Sequence, residues 1–181
     1  MRLVATEYVT LDGVMEEPGN WSFPFFSEDA GQFKHDELFA SDALLLGRVT
    51  FEGFAGAWPT MTDTGDFGER MNSMPKYVAS RSLKDLEWNA RLIEGDLLSG
   101  VRRLKEQPGR DLLLSGSASV FQTLSEANLI DEYRLMVHPI VVGSGKRLFR
   151  GGMAESVLKL VDTKVLTSGV VVLYYEPASP K

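Results

Sequence analysis

Three short segments of this chain combine a small residue and a hydroxyl residue at a point where an apolar run ends. They are residues 46–50 (LGRVT), 79–82 (ASRS) and 114–119 (LSGSAS). Each follows a run typical of a buried strand, and each contains a residue able to begin a helix. In an open α/β sheet, ligands bind beyond the carboxyl ends of the strands, at corners of this kind. The helix N-terminus at such a corner presents free N–H groups and a partial positive charge, which favour phosphate.

Two of these corners also carry an arginine, Arg48 and Arg81. Guanidinium groups form charge-assisted hydrogen bonds with phosphate oxygens, and an arginine beside the adenine ribose selects NADP over NAD. Each corner alone is weak evidence, because a glycine and a capping hydroxyl also connect strands to helices in proteins that bind nothing there. Their joint occurrence predicts a site for a phosphorylated dinucleotide.

Asp12 is the first candidate for a catalytic polar group beside the reacting centre. The alternative interpretation is an Asp-Gly turn, with Gly13, that closes a strand. The loop over residues 12–27 is unusually aromatic, and Trp21 and Phe26 are candidates to stack on a flat heterocyclic substrate. The alternative is that these rings pack on the loop itself or on a second subunit.

Two further features are interpreted as structural. His138 precedes Pro139 within an apolar segment, which favours a structural or interface role over that of a base. Residues 143–147 (GSGKR) match neither a phosphate-binding P-loop nor a dinucleotide fingerprint, because Ile140 and Leu148 stand where those patterns need glycine. A tight turn with two solvated cations accounts for this segment.

Composition limits the class of protein. The 181 residues are 44% hydrophobic and 24% charged, as expected for one globular domain over residues 1–181. The net charge of −6 argues against a nucleic-acid partner. The absence of cysteine excludes disulfides and thiolate chemistry, and the two distant histidines give no reason to expect a metal. No membrane span or targeting segment is recognised, so we expect a cytoplasmic protein.

The elements that must position the corners alternate between strand-like and helix-like patterns. Strands are predicted at 3–11, 43–46, 77–79, 91–93, 112–114, 133–142, 157–165 and 170–175. Helices are predicted at 28–40, at 50–54, from Asp96 to about 107, and from Ser117 or Ser119 to 127. Residues 55–75 are predicted to be a surface loop with one helical turn near 67–71. The alternation predicts a three-layer α/β/α fold with a mostly parallel central sheet and an antiparallel C-terminal edge hairpin.

Taken together, seven motifs carry a resemblance to a known family. They are residues 10–13 (TLDG), 46–52 (LGRVTFE), 78–81 (VASR), 116–118 (GSA), 131–133 (DEY), 138–139 (HP) and 143–145 (GSG). The chain resembles the dihydrofolate reductase superfamily, and more closely the reductase domain at the C-terminus of the bacterial bifunctional riboflavin-biosynthesis deaminase/reductase. The resemblance covers nearly the whole chain, and it implies a dihydrofolate-reductase-like fold.

The resemblance also implies NADPH as the cofactor, held by residues of the three corners. They are Gly47, Arg48 and Thr50 for the dinucleotide phosphates, Ser80 and Arg81 for the adenosine 2′-phosphate, and Gly116, Ser117, Ala118 and Ser119 for the pyrophosphate, through backbone amides. The loop after Asp12 is expected to fold over the nicotinamide and exclude water during hydride transfer. Glu37 is the candidate for the substrate-binding acid of the superfamily, with Glu28 and Asp29 on the same helix as alternatives.

The predicted function is therefore NADPH-dependent reduction of a small nitrogen heterocycle, of the 5-amino-6-(5-phosphoribosylamino)uracil reductase type. Leu38 and Ser115 stand where that branch carries an arginine and an acid, so pteridine or folate reduction is an alternative. A non-catalytic dinucleotide-binding or sensing protein is the alternative from another class. The apolar strand over 135–142 and the terminal hairpin, together with the dimers common in this family, also predict a homodimer.

Overall fold

The protein, examined as a computed structural model that describes residues 1–178, contains one eight-stranded sheet. The strands are β1 (Arg2–Thr10), β2 (Ser41–Gly47), β3 (Lys76–Ala79), β4 (Ala90–Leu92), β5 (Asp111–Leu114), β6 (Glu132–His138), β7 (Leu158–Val165) and β8 (Val171–Pro177). The α-helices are α1 (Glu28–Ala40), α2 (Arg48–Ala57), α3 (Gly65–Ser73), α4 (Leu97–Glu106) and α5 (Ala118–Glu126). The last three residues of the predicted domain, 179–181, lie outside the described residues.

The strands run in the order β4-β3-β2-β5-β1-β6-β8-β7. The six strands from β1 to β6 pair in parallel, whereas β8 pairs antiparallel with both β6 and β7. This confirms the predicted fold class. Because β3, β2 and β5 are consecutive in the sheet, their carboxyl ends lie side by side, and the three corners predicted from the sequence follow from them.

Helices cover both faces of the sheet, and the alternation along β1 shows why. Leu3 and Ala5 are fully buried against one face, whose core includes Phe121 of α5. Val4, between them, points into a second core with Leu38 of α1 and Phe51 of α2. Successive side chains of a strand point to opposite faces, so an uninterrupted apolar run is what a strand covered on both sides requires.

Three element boundaries differ from the predictions. Helix α2 begins at Arg48 rather than Thr50, because Gly47 is extended and takes the N-cap position. Residues 65–73 form a complete helix, α3, which buries Met71; the glycines in this segment led to its prediction as loop. Strand β6 ends at His138 because Pro139 has no N–H to continue the ladder. Within residues 1–178, no helix is both long enough and apolar enough to cross a bilayer.

Candidate functional site

The three strand-to-helix corners form one cleft above the sheet, here called the corner cleft. Its volume is about 310 Å³, and its lining is drawn from all three corners: Arg48, Val49, Ala79, Ser80, Arg81, Ser82, Ser117, Ser119 and Val120. Two of these side chains are cationic and none is acidic. The sequence prediction that these corners converge is consistent with this geometry, while the ligand they hold stays a prediction.

Glycine allows the β2 and β5 corners to touch. A Cβ at Gly47 would lie 2.3 Å from Ser117 Oγ and 2.8 Å from Ser117 N, both closer than real Cβ contacts. Gly47 N donates a hydrogen bond to Gly116 O at 3.0 Å. Gly116 has a φ of +62°, and a Cβ there would meet Thr50 Oγ1 at 2.6 Å. The predicted cofactor residues Gly47, Thr50, Gly116 and Ser117 therefore adjoin one another beside the cleft, and of these four Ser117 lines it.

Two helix N-termini open into this cleft. Helix α2 starts at Arg48 after Gly47, and α5 starts at Ala118 after Ser117, and neither N-cap residue closes a side-chain capping bond. The first amides of a helix have no intrahelical partner and carry a partial positive charge. The Ala118 side chain packs against the core, so this residue has only its backbone amide to offer a ligand. The arrangement favours an anion on the amides.

The charged and hydroxyl groups of the corner cleft are only partly engaged with the protein. Arg48 pairs with Glu52 one helical turn away, at 2.8 Å, and both side chains are 45% exposed. Arg81 is exposed and makes no ion pair within residues 1–178. The Ser80 hydroxyl closes its own corner by accepting from Ser82 N at 3.2 Å and Leu83 N at 3.1 Å. The two guanidinium groups are thus the exposed charges of the corner cleft.

A buried carboxyl that was not predicted is hydrogen-bonded to the β5 corner. Glu7 of β1 is 5% exposed, and its Oε1 accepts a hydrogen bond from Gly116 N at 2.8 Å. Burial raises the pKa of Glu7 to about 8, against the opposing effects of the Gly116 amide and the Lys34 charge. The signal was present in the sequence, because a glutamate inside a strand of apolar residues needs a partner or a proton.

Glu37, predicted as a substrate-binding acid, lies outside the corner cleft between α1 and the sheet. Its side chain is 1% exposed. Its oxygens accept hydrogen bonds from Thr6 Oγ1 at 2.9 Å, from Arg134 NH1 at 3.5 Å, and from Lys34 Nζ. The Glu37 carboxylate is thus paired with two cations and one hydroxyl of the protein itself. Contact between Glu37 and a substrate stays a prediction.

Asp12, the predicted catalytic residue, fastens two loops. Its Oδ1 accepts from Thr10 Oγ1 at 2.6 Å and from Val142 N at 3.3 Å, while Oδ2 accepts from Gly143 N at 2.9 Å. The Thr10 hydroxyl, followed by the two amides, lowers the pKa of Asp12 below its usual value. Asp12 is therefore an ionised acceptor at neutral pH, a state that accepts protons poorly and donates none.

The aromatic loop separates the two predicted stacking residues. Trp21 is 7% exposed, its Nε1 donates to Glu16 O at 3.0 Å, and its ring packs edge-on at 5.1 Å from His138. Phe26 is 73% exposed. His138 is itself buried, and burial lowers its pKa, which agrees with the structural role predicted for it.

Trp21 lines a second cleft, here called the loop cleft, with a volume of about 420 Å³. The two segments that form it are 14–21 and 142–145, and the lining residues are Val14, Glu16, Glu17, Asn20, Trp21, Val142, Ser144 and Gly145. The segments are joined by the bond from Met15 N to Lys146 O at 2.9 Å. This cleft carries two carboxylates and no lining cation.

Sequence and structure comparisons agree on what this chain is similar to. The sequence profile of the RibD C-terminal domain matches residues 2–174. The Bacillus subtilis protein YyaP is 34% identical over 178 residues, which is 96% of this chain and 94% of YyaP. A Shewanella sp. protein provisionally assigned to riboflavin biosynthesis superposes with a TM-score of 0.78 at 19% identity, covering 99% of this chain and 100% of the other.

Dihydrofolate reductase from Enterococcus faecalis, solved in complex with NADP(H), superposes with a TM-score of 0.61 at 14% identity, covering 98% of this chain and 97% of the other. At identities this low, the structural likenesses establish the fold alone. That fold is the three-layer, dihydrofolate-reductase-like architecture expected from the sequence.

Proposed function

The chain belongs to the RibD C-terminal domain family, and we propose that it is an NADPH-dependent reductase that transfers hydride to a small nitrogen heterocycle. The observation that carries the proposal is the corner cleft. There, two helix N-termini without side-chain caps and two guanidinium groups converge in a lining that contains no acid. This combination is complementary to a nucleotide that carries several phosphates.

The residues of the cleft fit such a dinucleotide. The amides that begin α5 would hold the pyrophosphate, and those that begin α2, with Arg48, would hold further phosphate oxygens. Arg81 would meet the 2′-phosphate that distinguishes NADPH from NADH. The contact between the β2 and β5 corners depends on Gly47, since a Cβ at this position would clash with Ser117. When bound, the reduced nicotinamide supplies a hydride, and the protein supplies orientation and a proton donor.

For the substrate, the family supports reduction of the 5-amino-6-(5-phosphoribosylamino)uracil type. Pteridine reduction is the second candidate, and a specific observation favours it. Leu38 is 2% exposed within the α1 core, and Ser115 is a small neutral residue at the end of β5. The two charged groups that the riboflavin branch carries at these positions, by resemblance, are thus absent from this chain.

Thermal unfolding with added NADPH or NADH tests the cofactor. A ligand present at 100 times its Kd stabilises a protein by about 2.7 kcal/mol, so we expect a clear shift with NADPH and a smaller one with NADH. NADPH oxidation is then followed with 5-amino-6-(5-phosphoribosylamino)uracil and with dihydrofolate or a dihydropteridine. Stabilisation without oxidation of NADPH on either class of substrate would indicate a dinucleotide-binding protein. No shift with either nucleotide would overturn the proposal.

We also propose that the protein forms a homodimer, with the outer strand β7 in the interface. The apolar β6 strand, which partly motivated this prediction, is interior to the sheet and cannot serve. The edge strand β7 instead exposes Leu160, Val161 and Val165, a surface that proteins usually cover. Light scattering should give twice the chain mass of 20.1 kDa, and Val161→Lys should reduce it. A monomeric mass at micromolar concentration would contradict the proposal.

A further inference from the structure

We propose that Glu7 is the proton donor of the reduction, a role that rests on the reductase function proposed above. It would pass a proton from its carboxyl Oε2 to a nitrogen of the bound heterocycle. None of the motifs that carry the family resemblance includes this residue.

The sheet places Glu7 beside residues 115–116, which continue from β5 and bond to β2 through Ser115 N to Leu45 O and Gly47 N to Gly116 O. Strand β5 ends at Leu114, whereas its neighbours β1 and β2 run on to Thr10 and Gly47. The last β1–β5 partners are Ala5 and Leu114, so Glu7 lies level with Gly116, just past the end of the shorter strand. Ligands of open α/β sheets bind in the crevice beyond the carboxyl ends of the strands, and Glu7 lies toward that end of β1.

Glu7 uses one carboxyl oxygen for a hydrogen bond to the protein. Its Oε1 accepts from Gly116 N at 2.8 Å, which suits the carbonyl oxygen of a protonated carboxyl. Within residues 1–178, Oε2 makes no hydrogen bond to the protein. The residue as a whole is 5% exposed. A buried carboxyl with one oxygen fixed and the other free has a proton to offer to whatever occupies the crevice.

The surroundings keep that proton in place at neutral pH. Burial raises the pKa of Glu7 to about 8, and the charge of Glu37 adds to the rise. The Gly116 amide and the Lys34 ammonium oppose it. These two α1 charges, Lys34 and Glu37, are bonded to each other, and their effects on the pKa of Glu7 oppose each other. Glutamates tuned to such values serve as general acids near neutral pH.

In the proposed step, a hydride and a proton add to the two ends of a C=N bond of the substrate. The carbon of a substrate C=N bond gains a hydride, whose two electrons come from a reduced nicotinamide dinucleotide. The nitrogen gains the Oε2 proton of Glu7, so the C=N double bond becomes a CH–NH single bond. The dinucleotide leaves oxidised, and the Glu7 carboxylate recovers its proton from water through the crevice.

Infrared spectroscopy of the ligand-free protein tests the acid itself. The difference between wild type and Glu7→Gln isolates the carboxyl C=O band of Glu7 without any cofactor or substrate. We expect this band to persist at pH 7 and to disappear with a midpoint of about 8. A carboxylate band at pH 7 would overturn the proposal. Glu126→Gln, which alters an exposed glutamate on α5 far from the crevice, is the matched control.

Turnover tests the role in the reaction. General acids contribute about 10²- to 10⁴-fold, so Glu7→Gln should lower kcat by about 100-fold or more at pH 7, while Glu126→Gln leaves it unchanged. The wild-type rate should fall tenfold per pH unit above about 8, and the Gln variant should lose that dependence. An unchanged kcat, or a Gln variant that keeps the high-pH limb, would overturn the proposal.

NADPH affinity separates this proposal from the proposed function. The Gln side chain keeps an oxygen for the Gly116 amide, so the variant should bind NADPH with a Kd within about twofold of wild type. A wild type that fails to bind NADPH refutes the reductase and, with it, the donor role. A wild type that reduces a substrate together with an equally active Gln variant refutes the donor role alone.

Discussion

The corner cleft and the loop cleft lie at the same edge of the sheet but have opposite electrostatic character. The first, about 310 Å³, is lined by two arginines and by two helix N-termini. The second, about 420 Å³, is lined by Glu16 and Glu17. The larger cleft is thus the poorer site for phosphate, because carboxylates repel phosphate and no α-helix begins among its lining residues. Donor chemistry, rather than volume, is therefore the reason for proposing the corner cleft as the nucleotide site.

The largest effect we expect concerns the buried carboxyl that is hydrogen-bonded to the β5 corner. The folded pKa of Glu7, about 8, lies above its ordinary value of 4.5. The folded state therefore holds a proton that the unfolded chain releases, and stability falls as pH rises between these values. The loss is about 1.4 kcal/mol for each pH unit. Glu7→Gln removes this loss, so the variant should become progressively more stable than wild type.

Urea unfolding of both proteins at several pH values between 4.5 and 8 measures the difference. The two free energies of unfolding should diverge as pH rises and run parallel above about 8. Glu126→Gln should give a constant offset across the range. Parallel curves for Glu7→Gln would show that this carboxyl is ionised in the folded protein, which would place an anion against the β5 corner.

The next effect comes from filling the contact between the β2 and β5 corners. Gly47→Ala places a Cβ 2.3 Å from Ser117 Oγ, and overpacking of this kind costs about 1–3 kcal/mol. If the cost falls on the cleft, NADPH should bind roughly 10- to 100-fold more weakly. The backbone of Gly47 has a φ of −74°, so alanine introduces no conformational strain there and the effect is steric.

Titration of NADPH by fluorescence checks the Gly47→Ala effect. Gly53→Ala is the matched control, because a Cβ on that helical glycine meets nothing within 4 Å. Adding Ser117→Gly to Gly47→Ala removes Oγ and Cβ, two of the three nearest atoms, and should restore part of the affinity. Equal NADPH affinity in the two single variants would mean that the nucleotide does not depend on this contact.

These two sites show how far the sequence could predict the molecule. Corners such as 46–50 are local, since strand, turn residue and helix start are adjacent in the chain, and the parallel sheet brings their ends together. The loop cleft could not be predicted from the sequence, because it depends on a contact between Met15 and Lys146, which are more than a hundred residues apart. Glu7 could not be assigned a role from the sequence, because the apolar neighbours that predict its strand do not show which group the buried carboxyl contacts.

A smaller effect should distinguish the two cations of the corner cleft. Arg81→Ala removes a side chain that makes no ion pair in the described part of the chain, whereas Arg48→Ala also frees Glu52. Charge-assisted contacts at exposed positions are worth about 1 kcal/mol. We therefore expect about fivefold weaker NADPH binding for Arg81→Ala, with NADH binding little changed. Arg48→Ala should weaken both nucleotides, because Arg48 is assigned to phosphates that the two share.

Binding isotherms for both nucleotides, at low and high salt, measure these differences. Salt screens exposed charges, so the NADPH preference of the wild type should shrink as salt is added. Arg102→Ala, on the exposed side of α4, is the control for loss of a cation elsewhere. A full NADPH preference in Arg81→Ala would assign the 2′-phosphate to another group.

The smallest effect concerns Asp12, and it decides between the predicted catalytic role and the loop contact that the structure shows. The lowered pKa of Asp12 means that its stabilising bonds persist above the ordinary value of 3.8 and are lost only as pH falls through the folded pKa. Asp12→Ala should therefore speed hydrogen exchange at the Val142 and Gly143 amides. Asp12→Asn, which keeps one acceptor oxygen, should do so less.

The pH dependence of kcat then separates the two roles of Asp12. If Asp12 only holds the two loops together, its loss shifts the loops but leaves the groups that titrate during the reaction unchanged. Asp12→Asn should then alter KM more than kcat and leave the shape of the pH profile intact. Glu16→Gln supplies the comparison, because Glu16 makes an equivalent bond to Lys146 N at 3.1 Å on the same pair of loops. If Asp12→Asn alone removed a limb of the profile, the reacting centre would lie nearer the acidic loop cleft, and the two clefts would share the reaction.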